Sequence, residues 1–315
     1  GSPFVVANEI VAVVAGDPAA VATAARVELD ARRDELVDET FTTLRPYLTS
    51  RGTWAVAQAQ LEQLVEFYWA AVPLHDGDYP AARALADRLL AARKATRTFG
   101  PVARPQPWPK SSLDGARESV IPDKETRDAE TMYDRYKARR GEHLSGVDLL
   151  KRLGRAGDES RSPSTSHMAA MPLKEPLDQS ATAAAAWATY LAGLPDRVKD
   201  MERAYHTLHL PVLEKYDGSL LFASRLIDYL EGPALKAAER ALRAFFNEAQ
   251  VDEPNPYYAL LVGDGDRMGD TISTLATPEA NRAFSQTLAG FATTAGDIVH
   301  KHDGAVVYAG GDDVL

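Results

Sequence analysis

Hydrophobic and polar residues follow a helical spacing over much of the chain, and short apolar runs interrupt this pattern. Apolar residues three or four positions apart predict helices, and the clearest examples outside the middle of the chain are residues 18–44, 79–96 and 278–302. Short continuous apolar runs predict strands, here at residues 9–14, 64–73, 257–262 and 305–309. Strands that alternate with helices at both ends of the chain indicate an α/β (α+β) fold.

The middle of the chain has a different pattern from its ends. Residues 100–122 contain five prolines and no sustained period, which predicts a long loop. Residues 126–250 are mostly helical in pattern, and the prolines at 254 and 256 mark a boundary after them. We therefore predict three parts, which are residues 1–125, 126–252 and 253–315.

Composition narrows the functional classes. Of the 315 residues, 45% are hydrophobic, which is ample for buried cores, and the absence of cysteine excludes disulfides, thiolate zinc sites and iron–sulfur clusters in this stretch. The longest apolar run has 14 residues where a membrane helix needs roughly 20, so we expect no membrane partner and a cytoplasmic protein. A net charge of −10 disfavours a surface that binds nucleic acid all over, although residues 93–161 carry 16 basic against 11 acidic side chains.

Two acidic motifs follow the last two apolar runs. Asp264 follows one run within Gly-Asp-Gly-Asp, and Asp312 and Asp313 follow the other within Gly-Gly-Asp-Asp, where the glycines predict a tight hairpin turn. If the two strands are neighbours, these carboxylates lie side by side, and they repel one another unless a cation lies between them. The motifs therefore predict a site for Mg²⁺, which takes few protein ligands and binds phosphate oxygens.

Other templates fit these motifs less well. A calcium-binding loop that begins at Asp264 needs an acid or amide where the chain has Met268, and glutamate where it has Leu275. A dinucleotide fingerprint needs its third glycine at Met268 and has it one residue later, and the chain contains no P-loop motif. Ordinary turns remain the alternative, because aspartate and glycine are favoured turn residues.

The paired motifs resemble the palm, or GGDEF-like, cyclase domain of nucleotidyl cyclases and polymerases. Three segments, KSSLDGARESVI (110–121), PSTSHMAA (163–170) and ALLVGDGDRMG (259–269), resemble the large subunit of type III-B CRISPR effector complexes, the Cmr branch of the Cas10 family. The resemblance implies two ferredoxin-like palm domains separated by a helical domain, both incomplete here. Residues 1–125 would be the later part of the first palm, and 253–315 the start of the second.

The resemblance also implies an activity. This is the condensation of ATP into cyclic oligoadenylates when target RNA is captured, with Mg²⁺ (or Mn²⁺) as cofactor and with other Cmr subunits and crRNA as partners. The implied catalytic residues are Asp264, Asp312 and Asp313; the implied metal ligands are these three with the Gly265 carbonyl; the expected nucleotide-binding residues are Gly265, Asp266, Gly310 and Gly311. The family's HD nuclease and cysteine zinc site have no counterpart in this stretch.

Alternatives remain open at this point. Ser111 and Ser112 are candidates for nucleotide contact, with Lys110 and Arg117 supplying charge, or they belong to a loop that caps a helix. His167 is interpreted as a structural histidine, because no acid is placed near it in the sequence. For the whole subunit, the alternative to a synthase is a scaffold that binds crRNA-complex partners and nucleotide without turnover. A stand-alone diguanylate cyclase is disfavoured.

Overall fold

The computed structural model describes residues 9–96, 108–122, 129–139, 141–154, 162–204 and 206–315, and helices dominate these residues. The α-helices are α1 Pro18–Phe41, α2 Arg45–Ser50, α3 Trp54–Glu62, α4 Tyr79–Ala95, α5 Ala129–Tyr136, α6 Gly146–Leu153, α7 Thr165–Ala170, α8 Lys174–Gln179, α9 Ala183–Ala192, α10 Asp196–Met201, α11 Ala223–Leu226, α12 Gly232–Ala249, α13 Met268–Ser273 and α14 Pro278–Lys301. Short 3₁₀ helices span Met171–Leu173, Pro211–Leu213 and Gly218–Leu221. Two strands, β1 Ala309–Gly310 and β2 Asp313–Val314, form an antiparallel pair.

The three predicted long helices are confirmed as α1, α4 and α14, and the middle of the chain is largely helical as expected. The start of α1 is fixed by Asp17, whose side chain accepts a hydrogen bond from the Ala19 amide at 2.9 Å. Asp78 caps α4 in the same way, through the Ala81 amide. A proline in the first turn of each helix supplies no N–H that would need a partner.

Most of the predicted strands are wrong. Residues 9–14, 64–73 and 257–262 are extended or irregular rather than paired, and only Ala309 of the run at 305–309 lies in a strand. A strand exists only where a neighbour supplies its backbone hydrogen bonds, and within the described residues these runs have no such neighbour. The sequence predicted an α/β fold, whereas the described residues form an α-rich fold.

The described residues divide into two compact units. The amino-terminal unit comprises the described parts of residues 11–155 and 269–281, and the carboxy-terminal unit comprises chiefly those of 156–268 and 282–315. In the amino-terminal unit, α5 and α6 pack into the same hydrophobic cluster as α1 to α3. The three predicted parts, residues 1–125, 126–252 and 253–315, stay predictions, because this division by contacts does not test them.

Close packing of α3 against α6 organises the amino-terminal unit. A Cβ atom on Gly146 would lie 2.9 Å from the Ala57 backbone, so only glycine allows this approach. The Gln60 side chain joins both elements to the loop before α5, because it donates to the Glu118 carbonyl and accepts from the Gly146 amide at 2.7 Å. The described part of the predicted loop, residues 108–122, is therefore fixed to the helices around it.

The core of the carboxy-terminal unit is built mainly from α9 and α12. Trp187 and Tyr190 of α9 pack against Phe245 of α12, with ring centroids 5.4 Å and 6.2 Å apart. The buried Tyr190 hydroxyl donates to the Leu220 carbonyl at 2.8 Å, and burial raises its pKa above the usual range. No helix among the described residues is long and apolar enough to cross a membrane.

Candidate metal centre

The second acidic motif forms the hairpin that its glycines predicted. Gly310 pairs with Asp313, which leaves Gly311 and Asp312 as a two-residue turn. Gly311 has a φ of 66°, a left-handed conformation that glycine adopts without strain and that this kind of turn requires. Asp312 therefore lies in the turn, and Asp313 begins β2.

Backbone hydrogen bonds bring the first acidic motif to this hairpin. The Gly263 amide donates to the Val314 carbonyl at 2.8 Å, and the Val314 amide donates to the Gly263 carbonyl at 2.9 Å. This reciprocal bridge is antiparallel. The two acidic motifs are therefore neighbours, as predicted. A single backbone bridge joins them rather than a pair of long strands.

Three carboxylates converge at this bridge. One oxygen atom from each of Asp264, Asp312 and Asp313 lies within 4.8 Å of the others; Asp264 and Asp313 are exposed and Asp312 is half-buried. A hydrogen bond with Asp264, the loss of solvation and the negative charges of Asp264 and Asp312 raise the pKa of Asp313. Three acids at this spacing repel one another, and a divalent cation bound between them would relieve the repulsion.

The oxygen donors fit Mg²⁺ or Mn²⁺. Both ions prefer carboxylate and water oxygens, and Mg²⁺ is commonly held by one or two carboxylates together with substrate phosphates. Because the three carboxylates are accessible, coordination positions remain for phosphate oxygens. The predicted residue Asp266 is not one of the converging acids.

Two glycines beside the acids leave no space for a side chain. A Cβ atom on Gly265 would lie 2.7 Å from Asp312 Cβ and 2.8 Å from Asp312 Oδ2, so the Asp312 side chain packs directly on this glycine. A Cβ atom on Gly310 would lie 2.5 Å from the Tyr308 hydroxyl oxygen. Metal binding by the Gly265 carbonyl and nucleotide contact by Asp266, Gly310 and Gly311 stay predictions.

Ser111 and Ser112 lie in the amino-terminal unit and take part in internal hydrogen bonds. The buried Ser111 hydroxyl donates to Asp148 at 2.7 Å, and Ser112 exchanges hydrogen bonds with the His143 backbone. The two neighbouring cations are also paired, Lys110 with Glu118 at 2.5 Å and Arg117 with Asp114 at 2.6 Å. These contacts agree with the structural alternative, and contact of the serines with a nucleotide stays a prediction.

A second cluster of potential ligands was missed in the sequence. His167 packs beside His206 and Asp217 in the carboxy-terminal unit, and all three side chains are buried. Burial lowers the pKa of His167 to about 4 despite the opposing charge of Asp217. The spacing of these residues in the sequence does not predict the cluster, because His206 and Asp217 are far from His167 along the chain and come close to it only in the folded structure.

Two comparisons with known proteins found similarities to this chain. Residues 257–315, which contain the three carboxylates, match the family model described as Cas10/Cmr2, second palm domain. The chain is also similar to the CRISPR system Cmr subunit Cmr2 of Pyrococcus furiosus, with 36% identity over 98 residues, which cover 22% of this chain and 11% of that protein. These matches confirm the predicted resemblance to the Cas10/Cmr2 large subunits, and the chain spans about a tenth of that relative's length.

Proposed function

We propose that this chain is part of the large subunit of a type III-B CRISPR complex whose second palm domain condenses ATP into cyclic oligoadenylates after target RNA binds. The observation that carries the proposal is the convergence of Asp264, Asp312 and Asp313 beside glycines. The family match of residues 257–315 supports it independently of this geometry. The same proposal includes two ferredoxin-like palm domains. Residues 1–125 would be part of the first and residues 253–315 part of the second.

The reaction requires little covalent help from the protein. The 3′-oxygen of one ATP forms a bond to the α-phosphorus of another, the bond from that phosphorus to the bridging oxygen breaks, and pyrophosphate leaves while the hydroxyl proton passes to solvent. Bound Mg²⁺ or Mn²⁺ would neutralise the developing charge on the attacking and leaving oxygens. The three carboxylates would hold the cation, and Gly265 leaves the space that the Asp312 side chain occupies.

The proposal is tested with the assembled complex, crRNA and target RNA. ATP and Mg²⁺ are added, and products are separated by chromatography and identified by mass. We expect adenylate rings that appear only with target RNA and that disappear when a chelator removes the metal.

The other outcomes have definite meanings. An assembled complex that captures target RNA but forms no oligoadenylate under these conditions would exclude the synthase and leave the scaffold function. Consumption of GTP in place of ATP would instead assign the centre to a guanylate cyclase.

A further inference from the structure

The buried cluster of His167, His206 and Asp217 lies at a junction of three segments. His167 belongs to α7, His206 to the loop after α10, and Asp217 immediately precedes the 3₁₀ helix Gly218–Leu221. One potential ligand atom from each side chain lies within 4.8 Å of the others. The cluster is distinct from the carboxylates of the acidic centre and has no role in the reaction proposed above.

The two oxygens of Asp217 have different surroundings. Oδ1 accepts three short hydrogen bonds, from the Ser164 hydroxyl at 2.6 Å, the Ser219 amide at 2.8 Å and the Ser219 hydroxyl at 2.5 Å. Oδ2 has only long contacts, with the Ser164 amide and His206 Nε2 at 3.4 Å each and with His167 Nδ1 at 3.8 Å. Ser164 and Ser219 thus fix the Asp217 carboxylate through Oδ1 and leave Oδ2 near both imidazoles. Hydrogen-bonding groups around metal sites orient metal ligands in the same way.

The spacing of these atoms suits a transition metal. Zinc bonds to nitrogen or oxygen of 2.0–2.1 Å place tetrahedral ligand atoms about 3.4 Å apart. The separations of 3.4 Å and 3.8 Å from Asp217 Oδ2 to the two imidazole nitrogens lie near this value.

The geometry points to a structural site for Zn²⁺ or a similar late first-row divalent cation, held by His167, His206 and Asp217. Imidazole nitrogens favour these ions over Mg²⁺, which prefers oxygen ligands. In the structure the Gly218 amide donates to His167 Nδ1 at 2.9 Å, and this hydrogen bond opens when the cation binds. The ion would join α7 to the two loops that face it, and a small ligand such as water would complete its coordination.

Cobalt provides the first test, because tetrahedral Co²⁺ absorbs visible light much more strongly than octahedral Co²⁺. The full chain is stripped with a chelator and titrated with Co²⁺ alone, in a background of Asp312→Asn that removes one of the three carboxylates of the acidic centre. We expect intense absorption that saturates at one equivalent, is lost on addition of Zn²⁺ and persists in excess Mg²⁺. Absence of this absorption, or its loss with Mg²⁺, would overturn the assignment.

Variants locate the ion. His206→Gln should reduce Co²⁺ affinity at least tenfold, whereas His302→Gln, which changes an exposed histidine outside the cluster, should leave it unaltered. X-ray absorption of Zn²⁺ bound to the Asp312→Asn protein should show two imidazole ligands. This measurement leaves the cluster residues intact, so it does not depend on whether a cluster variant folds. A shell of oxygen atoms alone would contradict the site. The outcome is independent of oligoadenylate synthesis, so either proposal can fail without the other.

Discussion

The Gly263 backbone exchanges two hydrogen bonds with the Val314 backbone, and this bridge positions Asp264 beside the hairpin that carries Asp312 and Asp313. The bridge has little support around it, because the apolar run that precedes Gly263 is exposed and unpaired. The acidic centre therefore depends on a few local contacts, which single substitutions can remove.

Val314→Pro removes the amide that donates to the Gly263 carbonyl. We expect about fivefold weaker Mn²⁺ binding, since about 1 kcal/mol is typical of one backbone hydrogen bond. Val314→Thr keeps the amide and should bind Mn²⁺ like the wild type. Calorimetric titration of both variants measures the difference, and equal affinities would show that the bridge does not position the acids.

Gly265→Ala places a methyl group against Asp312 at 2.7 Å and should displace that side chain from the other two carboxylates. We expect Mn²⁺ affinity and oligoadenylate synthesis to fall at least tenfold. Gly269→Ala is the matched control, because a Cβ atom there meets nothing within 4 Å. The account of the acidic centre fails if the two alanine variants behave alike.

Asp313→Asn should raise the melting temperature of the metal-free protein while removing the further rise that Mn²⁺ causes in the wild type. The reason is repulsion, since Asp264 and Asp312 already raise the pKa of Asp313. Asp297→Asn, at an exposed position on α14, removes the same charge away from the centre. Thermal melts with and without Mn²⁺ distinguish them, and a stabilising effect of both variants would mean that only overall charge matters.

The amino-terminal unit should lose stability in acid through Glu142. Burial opposes ionisation of this group, but hydrogen bonds from Arg152 and the Arg139 amide more than compensate and lower its pKa. A lowered folded-state pKa stabilises the protein above the usual glutamate range, and the contribution is lost as pH falls through the folded value.

Glu142→Gln should therefore cost about 1 kcal/mol near neutral pH and reduce the loss of stability as the pH falls through and below the usual glutamate range. Glu39→Gln, on the exposed side of α1, is the control. Denaturant titrations at several pH values measure both. A Glu142→Gln curve parallel to that of the wild type would contradict the role given to this carboxylate.

Helices and the acidic centre were predictable because their signals are local. Asp17 and Asp78 each precede a proline and a long alanine-rich segment, so the starts of α1 and α4 are encoded within a few residues. The hairpin follows from adjacent glycines in the same way. The convergence of Asp264 with Asp312 was predicted only by assuming that their two segments are neighbours.

The strands and the buried histidine cluster were not predictable, because each depends on contacts between residues that are far apart in the sequence. The run at 257–262 has strand-like residues, yet Leu261 is 78% exposed because no described strand pairs with it. His167 and Asp217 are 50 residues apart in the sequence (217 − 167), so no local pattern predicts their contact. Ser111 was a candidate for nucleotide contact in a proline-rich loop, and in the structure it is buried and donates to Asp148 of α6.

The most direct test of the central claim compares Asp312→Asn with Asp297→Asn in the assembled complex. Each is supplied with crRNA, target RNA, ATP and Mg²⁺, and the rate of cyclic oligoadenylate formation is measured after RNA capture has been confirmed. The account predicts that Asp312→Asn captures target RNA normally but forms product at least a hundredfold more slowly, while Asp297→Asn matches the wild type. Undiminished synthesis by Asp312→Asn would contradict it and place the metal-dependent chemistry elsewhere.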